Sequence, residues 1–392
     1  MRVVGVIAEY NPFHLGHAHH LAQARRLAQA DAVVVVMSSA FTQRGDAAIA
    51  SPMARARMAL ASGADAVFAL PAAWAVRDAE HFALGGVSLL AGLGCDAISF
   101  GTETADLPAL RTAAALLEQP GDAFQAAVQS RMSQGLPYPA AMSAAMDAAH
   151  PGCGNLLANP NSTLAVCYLR AMMRLQADMD VVPVQRIGGY HDSALDGALP
   201  SATALRGAIH RGDWSRVKSA MPEGAYAILR AEAELGRIHR PEALDTALLY
   251  RLRTMTDADY AALPDVSEGI EYRLQAAASA ECTRNDVLLA AKTRRYPYAR
   301  LSRLATHALL GLTDGTLPDS TPDAAMLLGF RREARELFSH FKERGTLPIW
   351  GKAADFDRNA AWFQAEMRAC DLWALGAGLP AGLLLTQGVT VI

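Results

Sequence analysis

Arg2-Val3-Val4-Gly5-Val6-Ile7-Ala8-Glu9-Tyr10-Asn11-Pro12-Phe13-His14-Leu15-Gly16-His17 opens the chain after its first methionine. Val3–Ala8 is a continuous apolar run of the kind that forms a strand buried on both faces. Pro12 biases Asn11 toward an extended backbone, so the chain leaves the sheet before turning. His17–Ala30 then reads as a helix. A strand that feeds a helix through a polar turn is the first unit of a parallel α/β sheet. Ligands of such sheets bind beyond the C-terminal strand ends.

Further strands are expected at Ala32–Met37, Ala66–Leu70, Ala97–Phe100 and Val181–Ile187. Helices are expected at Pro52–Ala61, Phe82–Leu93 and Leu107–Glu118 between them. The fold class is α/β, a Rossmann-like parallel-sheet domain over residues 1–205. From Ala204 onward the pattern is helical, including Ala243–Thr256, Ile270–Ala280, Leu301–Leu309 and Ala324–Arg344, with a terminal strand at Val389–Ile392. Residues 206–392 are read as a mostly α-helical second domain, since a chain of 392 residues exceeds what one core usually holds.

A formal net charge of −3 excludes a whole-chain nucleic-acid signal and leaves local basic patches as the place to look. The five cysteines are scattered, with no CxxC pair, so neither a disulfide framework nor a zinc site is indicated. The apolar stretch Phe82–Phe100 is broken by four glycines and Asp96, against a membrane span. A reduced cytoplasmic setting is expected.

The turn carries the chemistry. His14 and His17 are three residues apart and share one face of the first helical turn. Gly16 has no side chain, which lets a phosphate approach the backbone. Bare N–H groups at a helix start attract anions. Two imidazoles beside them suit stabilisation of charge that builds on the α-phosphate of a nucleotide during nucleotidyl transfer. A metal site built on His14, His17, His19 and His20 is the rival reading. It lacks a carboxylate or cysteine partner nearby, and His20 is assigned to lining or supporting the nucleotide site.

Several ordered motifs resemble one family. Gly5–His17, Met37-Ser38-Ser39-Ala40-Phe41-Thr42-Gln43-Arg44-Gly45-Asp46, Ala54–Leu60, Phe100-Gly101-Thr102-Glu103, Asn159–Ala165, Arg186–Asp192, Ser201–Arg206, Ser267–Glu271 and Lys292–Tyr296 are similar, in order, to the bacterial tRNA(Met) cytidine acetate ligases. These are a branch of the HxGH nucleotidyltransferases. The chain departs from that pattern at Ser39 and Ala40, where glycine and asparagine stand, at Ala69, where an acidic residue stands, and near Pro52, where a lysine is missing.

The resemblance implies two steps. Acetate attacks the α-phosphate of ATP, with Mg2+ as the accompanying ion, to give acetyl-adenylate and pyrophosphate. The wobble cytidine of elongator tRNA(Met), in the anticodon loop, then takes the acetyl group and AMP leaves. His14 and His17 would be catalytic. Ile7, Ala8, Glu9, Tyr10, Asn11, Pro12, Phe13, Leu15, Gly16, His20, Gly101, Asn161, Arg186 and Ile187 would contact ATP. Ser201, Thr203 and Arg206 would hold pyrophosphate, although Ser201 or Thr203 also reads as a plain helix cap.

On the acceptor side, Lys292, Arg294, Arg295, Tyr296, Tyr298 and Arg300 interleave cations with aromatic rings, as contacts to phosphates and unpaired bases require. Arg44 sits in a loop that can close over nucleotide or acceptor. Two other readings use the same residues. One is a small-molecule adenylyltransferase acting on a phosphorylated metabolite. The other is a non-catalytic RNA-binding protein.

Overall fold

The computed structural model describes residues 1–185, 201–267, 269–318 and 320–392. Four strands begin the sheet: β1 (Val3–Ala8), β2 (Ala32–Ser38), β3 (Ala66–Leu70) and β4 (Ala97–Thr102). β5 (Asp180–Gln185) follows, then β6 (Ala325–Phe330), β7 (Ile349–Trp350) and β8 (Thr390–Val391). The order is β5-β4-β1-β2-β3-β6-β7, with β8 also paired to β6. β1 to β5 run parallel, and every residue of β2 and β3 is buried, as continuous apolar runs predict.

β1 pairs with β2 on one side and with β4 on the other. The chain therefore reverses its direction of strand addition at β1, and the crevice between the β1 and β4 ends is the topological switch point. Both strands carry motif residues at those ends.

The expected helices form with shifted starts. Leu15–Ala28 begins at its His14 cap, and Ala79–Gly92 begins earlier than its apolar pattern because Asp78 accepts from the Glu80 and His81 amides. The helix expected over Ala324–Arg344 is a correction. Its first part, Ala325–Phe330, is β6, antiparallel to β3, and only Leu337–Arg344 is α-helical. Alanine, methionine and leucine favour helix locally, but the exposed edge of β3 offers backbone partners that outweigh this preference.

Burial also divides differently from the boundary expected at residue 205. One core cluster runs from Val3 to Leu244 and resumes from Leu310 to Leu384, whereas Leu248–Ala308 forms a second. The helical unit is thus an insertion, and the chain returns from it to finish the sheet. Among the described residues no helix is long and apolar enough to cross a membrane.

Candidate nucleotide site

β1 ends at Ala8 and the turn is built at once. Asn11 is buried, and its Oδ1 accepts the Ile49 amide at 2.7 Å, which ties the turn to the segment before the Pro52–Leu60 helix. Tyr10 and Phe13 are core residues, at most 2% exposed, with ring centroids 4.8 and 5.5 Å from that of His17. Both rings buttress the His17 ring from the core side. Ile7 and Pro12 are buried as well, while Ala8 and Leu15 are partly exposed beside the turn.

His14 caps the Leu15–Ala28 helix. Its Nδ1 accepts the Gly16 amide at 3.1 Å, and its own N–H donates to Nδ1 of His17 at 3.2 Å. The two rings stack with centroids 3.6 Å apart. An Nδ1 that accepts a backbone N–H carries no proton there, so the neutral ring bears its proton on Nε2. Both imidazoles are therefore set as Nε2–H donors, the form that stabilises phosphate oxygens.

One expectation about this turn is corrected. The first-turn amides are not bare: Leu15 donates to the Ala220 carbonyl, Gly16 to the His14 ring, and His17 and Ala18 to the His14 carbonyl. Gly16 also makes room for a ring, because a Cβ there would stand 2.9 Å from Cε1 of His14. The glycine admits the histidine ring.

Arg206 arrives from the Ala202–His210 helix, whose Ser201 cap accepts the Ala204 amide at 3.2 Å. Its Nη1 donates to the Asn11 carbonyl at 2.8 Å and its Nη2 to Thr203 Oγ1 at 3.2 Å. Glu9 accepts the Gln43 amide at 2.7 Å. Burial pushes its carboxyl above the usual range, opposed by that amide and by the cations Arg44 and Arg206. These two cations act on the Glu9 carboxyl from the Gln43–Gly45 loop and from the Ala202–His210 helix.

Sequence reading gave Arg55 no role. It is fully buried, and burial lowers its guanidinium to about 10. It donates to the carbonyls of Glu9 at 2.6 Å, Ser38 at 2.9 Å, Ala50 at 3.1 Å and Ser39, gathering the ends of β1 and β2. Its alanine-rich helical surroundings carried no signal of this.

The β4 side is organised by Glu103, also without an assigned role. Its carboxylate accepts from the Asn161 side chain at 2.6 Å and from the Ser162 amide and hydroxyl at 2.7 Å each. These bonds, at the start of the Pro160–Leu175 helix, hold its pKa below the usual carboxylate range against partial burial. Asn161 thus gives one of its two side-chain amide hydrogens to Glu103. Gly101 lies in β4 opposite Val184, and His20 Nε2 sits 3.1 Å from the Ser99 hydroxyl, which supports the floor of the crevice. A cavity of about 200 Å³ lined by Glu103, Asp106, Asn159 and Ser162 adjoins this helix start. Arg186 and Ile187 lie outside the described residues. Ser39, Ala40 and Ala69, where the chain departs from the family pattern, are wholly buried, so they act through packing.

The acceptor-side residues separate into two groups. Lys292, Arg294 and Arg295 are exposed. Tyr296 is only 6% exposed, within the helical core, so stacking on a base is not its role in this fold. Tyr298 is half-buried with its hydroxyl toward Asn285, and Arg300 Nη2 holds the Asp265 carbonyl at 2.8 Å and the Ser267 hydroxyl at 2.7 Å. Arg44 is exposed on a hairpin whose next residue, Gly45, has φ +79° and whose missing Cβ would meet the Ser302 carbonyl at 2.7 Å. The helical unit grips this hairpin: Arg284 donates to the Gly45 carbonyl at 3.0 Å and pairs with Asp46 at 3.1 Å. Among the described residues, no group of three or more His, Cys, Asp or Glu is placed to hold a metal ion.

A family model described as HIGH Nucleotidyl Transferase matches residues 1–379. The tRNA(Met) cytidine acetate ligase of Geobacillus sp. (strain WCH70) is 34% identical over 382 residues, covering 95% of this chain and 94% of that protein. The ligase of the same description from Acetivibrio thermocellus is 31% identical over 416 residues and covers all of both chains. Among solved structures, Thermotoga maritima TmcAL bound with alpha-thio ATP aligns over 100% of both chains with a TM-score of 0.90 and 27% identity.

Proposed function

Because the chain belongs to the HIGH nucleotidyl transferase family, and within it to the tRNA(Met) cytidine acetate ligases, we propose that it is an ATP-dependent ligase that acetylates the wobble cytidine of elongator tRNA(Met). Acetate attacks the α-phosphate of ATP, forming acetyl-adenylate and releasing pyrophosphate. The cytidine N4 amine then attacks the acetyl carbonyl, AMP departs, and the amine loses its proton. The reaction runs in the cytoplasm.

The observation that carries this reading is the pair of stacked rings whose Nδ1 atoms are taken by backbone amides. Their Nε2–H groups are preorganised donors for the oxygens of the α-phosphate, and donors fixed before the reaction need no reorganisation as charge develops. Arg206 at the Asn11 carbonyl adds a guanidinium for the leaving pyrophosphate. ATP bound to a structural relative, Thermotoga maritima TmcAL, as its thio analogue supports the nucleotide assignment. Mg2+ enters with ATP as part of the substrate.

Lys292, Arg294 and Arg295, exposed on the helical unit, provide a surface for the anticodon stem-loop, whose unpaired bases can splay out for chemistry. The deciding experiment incubates the protein with ATP, labelled acetate and elongator tRNA(Met), then identifies nucleosides by mass spectrometry. Labelled N4-acetylcytidine is expected. Its absence, with ATP left intact, overturns the proposal.

A further inference from the structure

The helical unit meets the sheet along the Tyr298–Leu310 helix. His307, fully buried, places Nε2 2.5 Å from the Val76 carbonyl. Ser302 and Thr306 donate to the carbonyls of Arg44 and Gly45, each at 2.5 Å. Arg303 lies between these two residues on the same helix, one turn before His307, and Arg77 follows Val76 on the facing segment. Both arginines act on the buried His307 ring, which lies at the seam against Val76. Neither belongs to the nucleotide site described above.

Each has a sealed Nε with no hydrogen-bond partner, and Arg77 is only 9% exposed. Neither forms an ion pair within 4 Å of a described carboxylate. The acids near them are engaged elsewhere or make no bond to them. Asp78 accepts from the Glu80 and His81 amides and holds the His81 ring at 2.5 Å. Asp46 is paired with Arg284. Asp265 acts on Arg303 electrostatically, yet its buried Oδ2 makes no bond. Arg300 adds a further cation, committed to the Asp265 carbonyl and Ser267. Only the Nε of each guanidinium is sealed, so the Nη ends of both planar forks are the atoms that can meet phosphate oxygens.

The seam also has a defined address. Gln43 donates from Nε2 to the Arg77 carbonyl at 3.0 Å and from its amide to Glu9 at 2.7 Å. One residue therefore separates the two arginines' seam from the mouth of the nucleotide site. An RNA strand that delivers a base to that mouth must carry its backbone alongside.

We propose that Arg77 and Arg303 form a phosphate clamp for the RNA backbone next to the nucleotide being modified. This rests on the RNA reading under the proposed function. Full-length wild-type protein and the Arg77→Gln plus Arg303→Gln variant are titrated with unmodified elongator tRNA(Met) over a salt series. Acetate-dependent pyrophosphate exchange is measured in parallel without RNA.

The variant is expected to bind RNA about tenfold more weakly, with a log–log salt slope shallower by about 0.7–0.9, the release of one phosphate's counterions. Exchange stays within about twofold of wild type. The Arg77→Lys plus Arg303→Lys variant keeps the charge and is expected to recover the slope, which a purely structural role does not predict. An unchanged slope and affinity in the glutamine variant overturns the clamp. Lost exchange with an unchanged slope overturns it in favour of a phosphate of the nucleotide itself. Wild-type protein that fails to bind RNA at all refutes instead the acceptor assigned above.

Discussion

Arg206 donates from Nη1 to the carbonyl oxygen of Asn11 at 2.8 Å, joining a helix start to a turn 195 positions earlier in the chain. The same guanidinium reaches Thr203, so one planar fork spans the cap of its own helix and the histidine-bearing turn. Lysine carries the charge on one nitrogen and lacks the planar fork that spans the two acceptors. Arg206→Lys is expected to slow acetate-dependent pyrophosphate exchange by about tenfold to a hundredfold, the scale of a misplaced group in an active site. Exchange at the wild-type rate would show that Arg206 serves only the turn.

His17→Ala removes one of the two Nε2–H donors and also the acceptor of the His14 amide. Turnover is expected to fall more than ATP affinity, since the donor acts on charge that grows in the transition state. Steady-state kinetics with calorimetric ATP binding separates the two. Equal losses would assign the ring a ground-state role.

At Gly16 a single methyl group tests the ring packing, because the added Cβ would lie 2.9 Å from His14 Cε1. Gly16→Ala gains helix propensity, which alone would stabilise by roughly 0.5–1 kcal/mol. The clash is expected to displace the His14 ring, so activity falls sharply while the thermal midpoint moves only a few degrees. Full activity in this variant would refute the steric reason for the glycine.

Arg284 is the hairpin's anchor, bonded to Gly45, Asp46 and Ser302 from the helical unit. Arg284→Ala is expected to cost about 2–4 kcal/mol of stability in denaturant titration, as loss of several charge-assisted bonds at a mostly buried side chain implies. Below the unfolding transition it should also reduce pyrophosphate exchange, because Gln43, two residues before Gly45, donates its amide to Glu9 at the nucleotide site. Stability loss with unimpaired exchange would confine the residue to holding the fold.

Burial pushes the His307 imidazole down to about 4. The native state therefore keeps this ring neutral while the unfolded chain, near 6.5, takes up a proton. Its contribution is complete above the unfolded value and is lost as pH falls from about 6.5 to 4, by roughly 3 kcal/mol in full. His239, also near 4, adds to the same window. His307→Gln retains a donor for the Val76 carbonyl and is expected to flatten the decline between pH 7 and 4.5. An equally steep decline in the variant would place the acid sensitivity elsewhere.

Much of the site's outline was legible in the chain because it is local. Val3–Ala8, the turn and the Leu15–Ala28 helix are contiguous, and their order alone puts His14 and His17 at a strand end. The same contiguity explains why Leu107–Glu118 and Ala66–Leu70 match their apolar runs residue for residue. Misreadings arose where a residue type had two uses. Tyr296 reads as a stacking platform among cations but fills the helical core. Glu103 and Arg55 stand within the ordered motifs, yet nothing adjacent to either in the chain indicates its partners.

Taken by itself, the amino-acid order determined the parallel α/β beginning, the helical character of the middle and the turn where chemistry belongs, since periodicity and turn residues act over a few neighbours. Tertiary structure alone decided that Ala325–Phe330 joins β3, that Arg206 meets Asn11, and that the helical unit grips the Gly45 hairpin. Those contacts link segments hundreds of residues apart. Which backbone edge or carbonyl is left to satisfy emerges only when the whole core has closed.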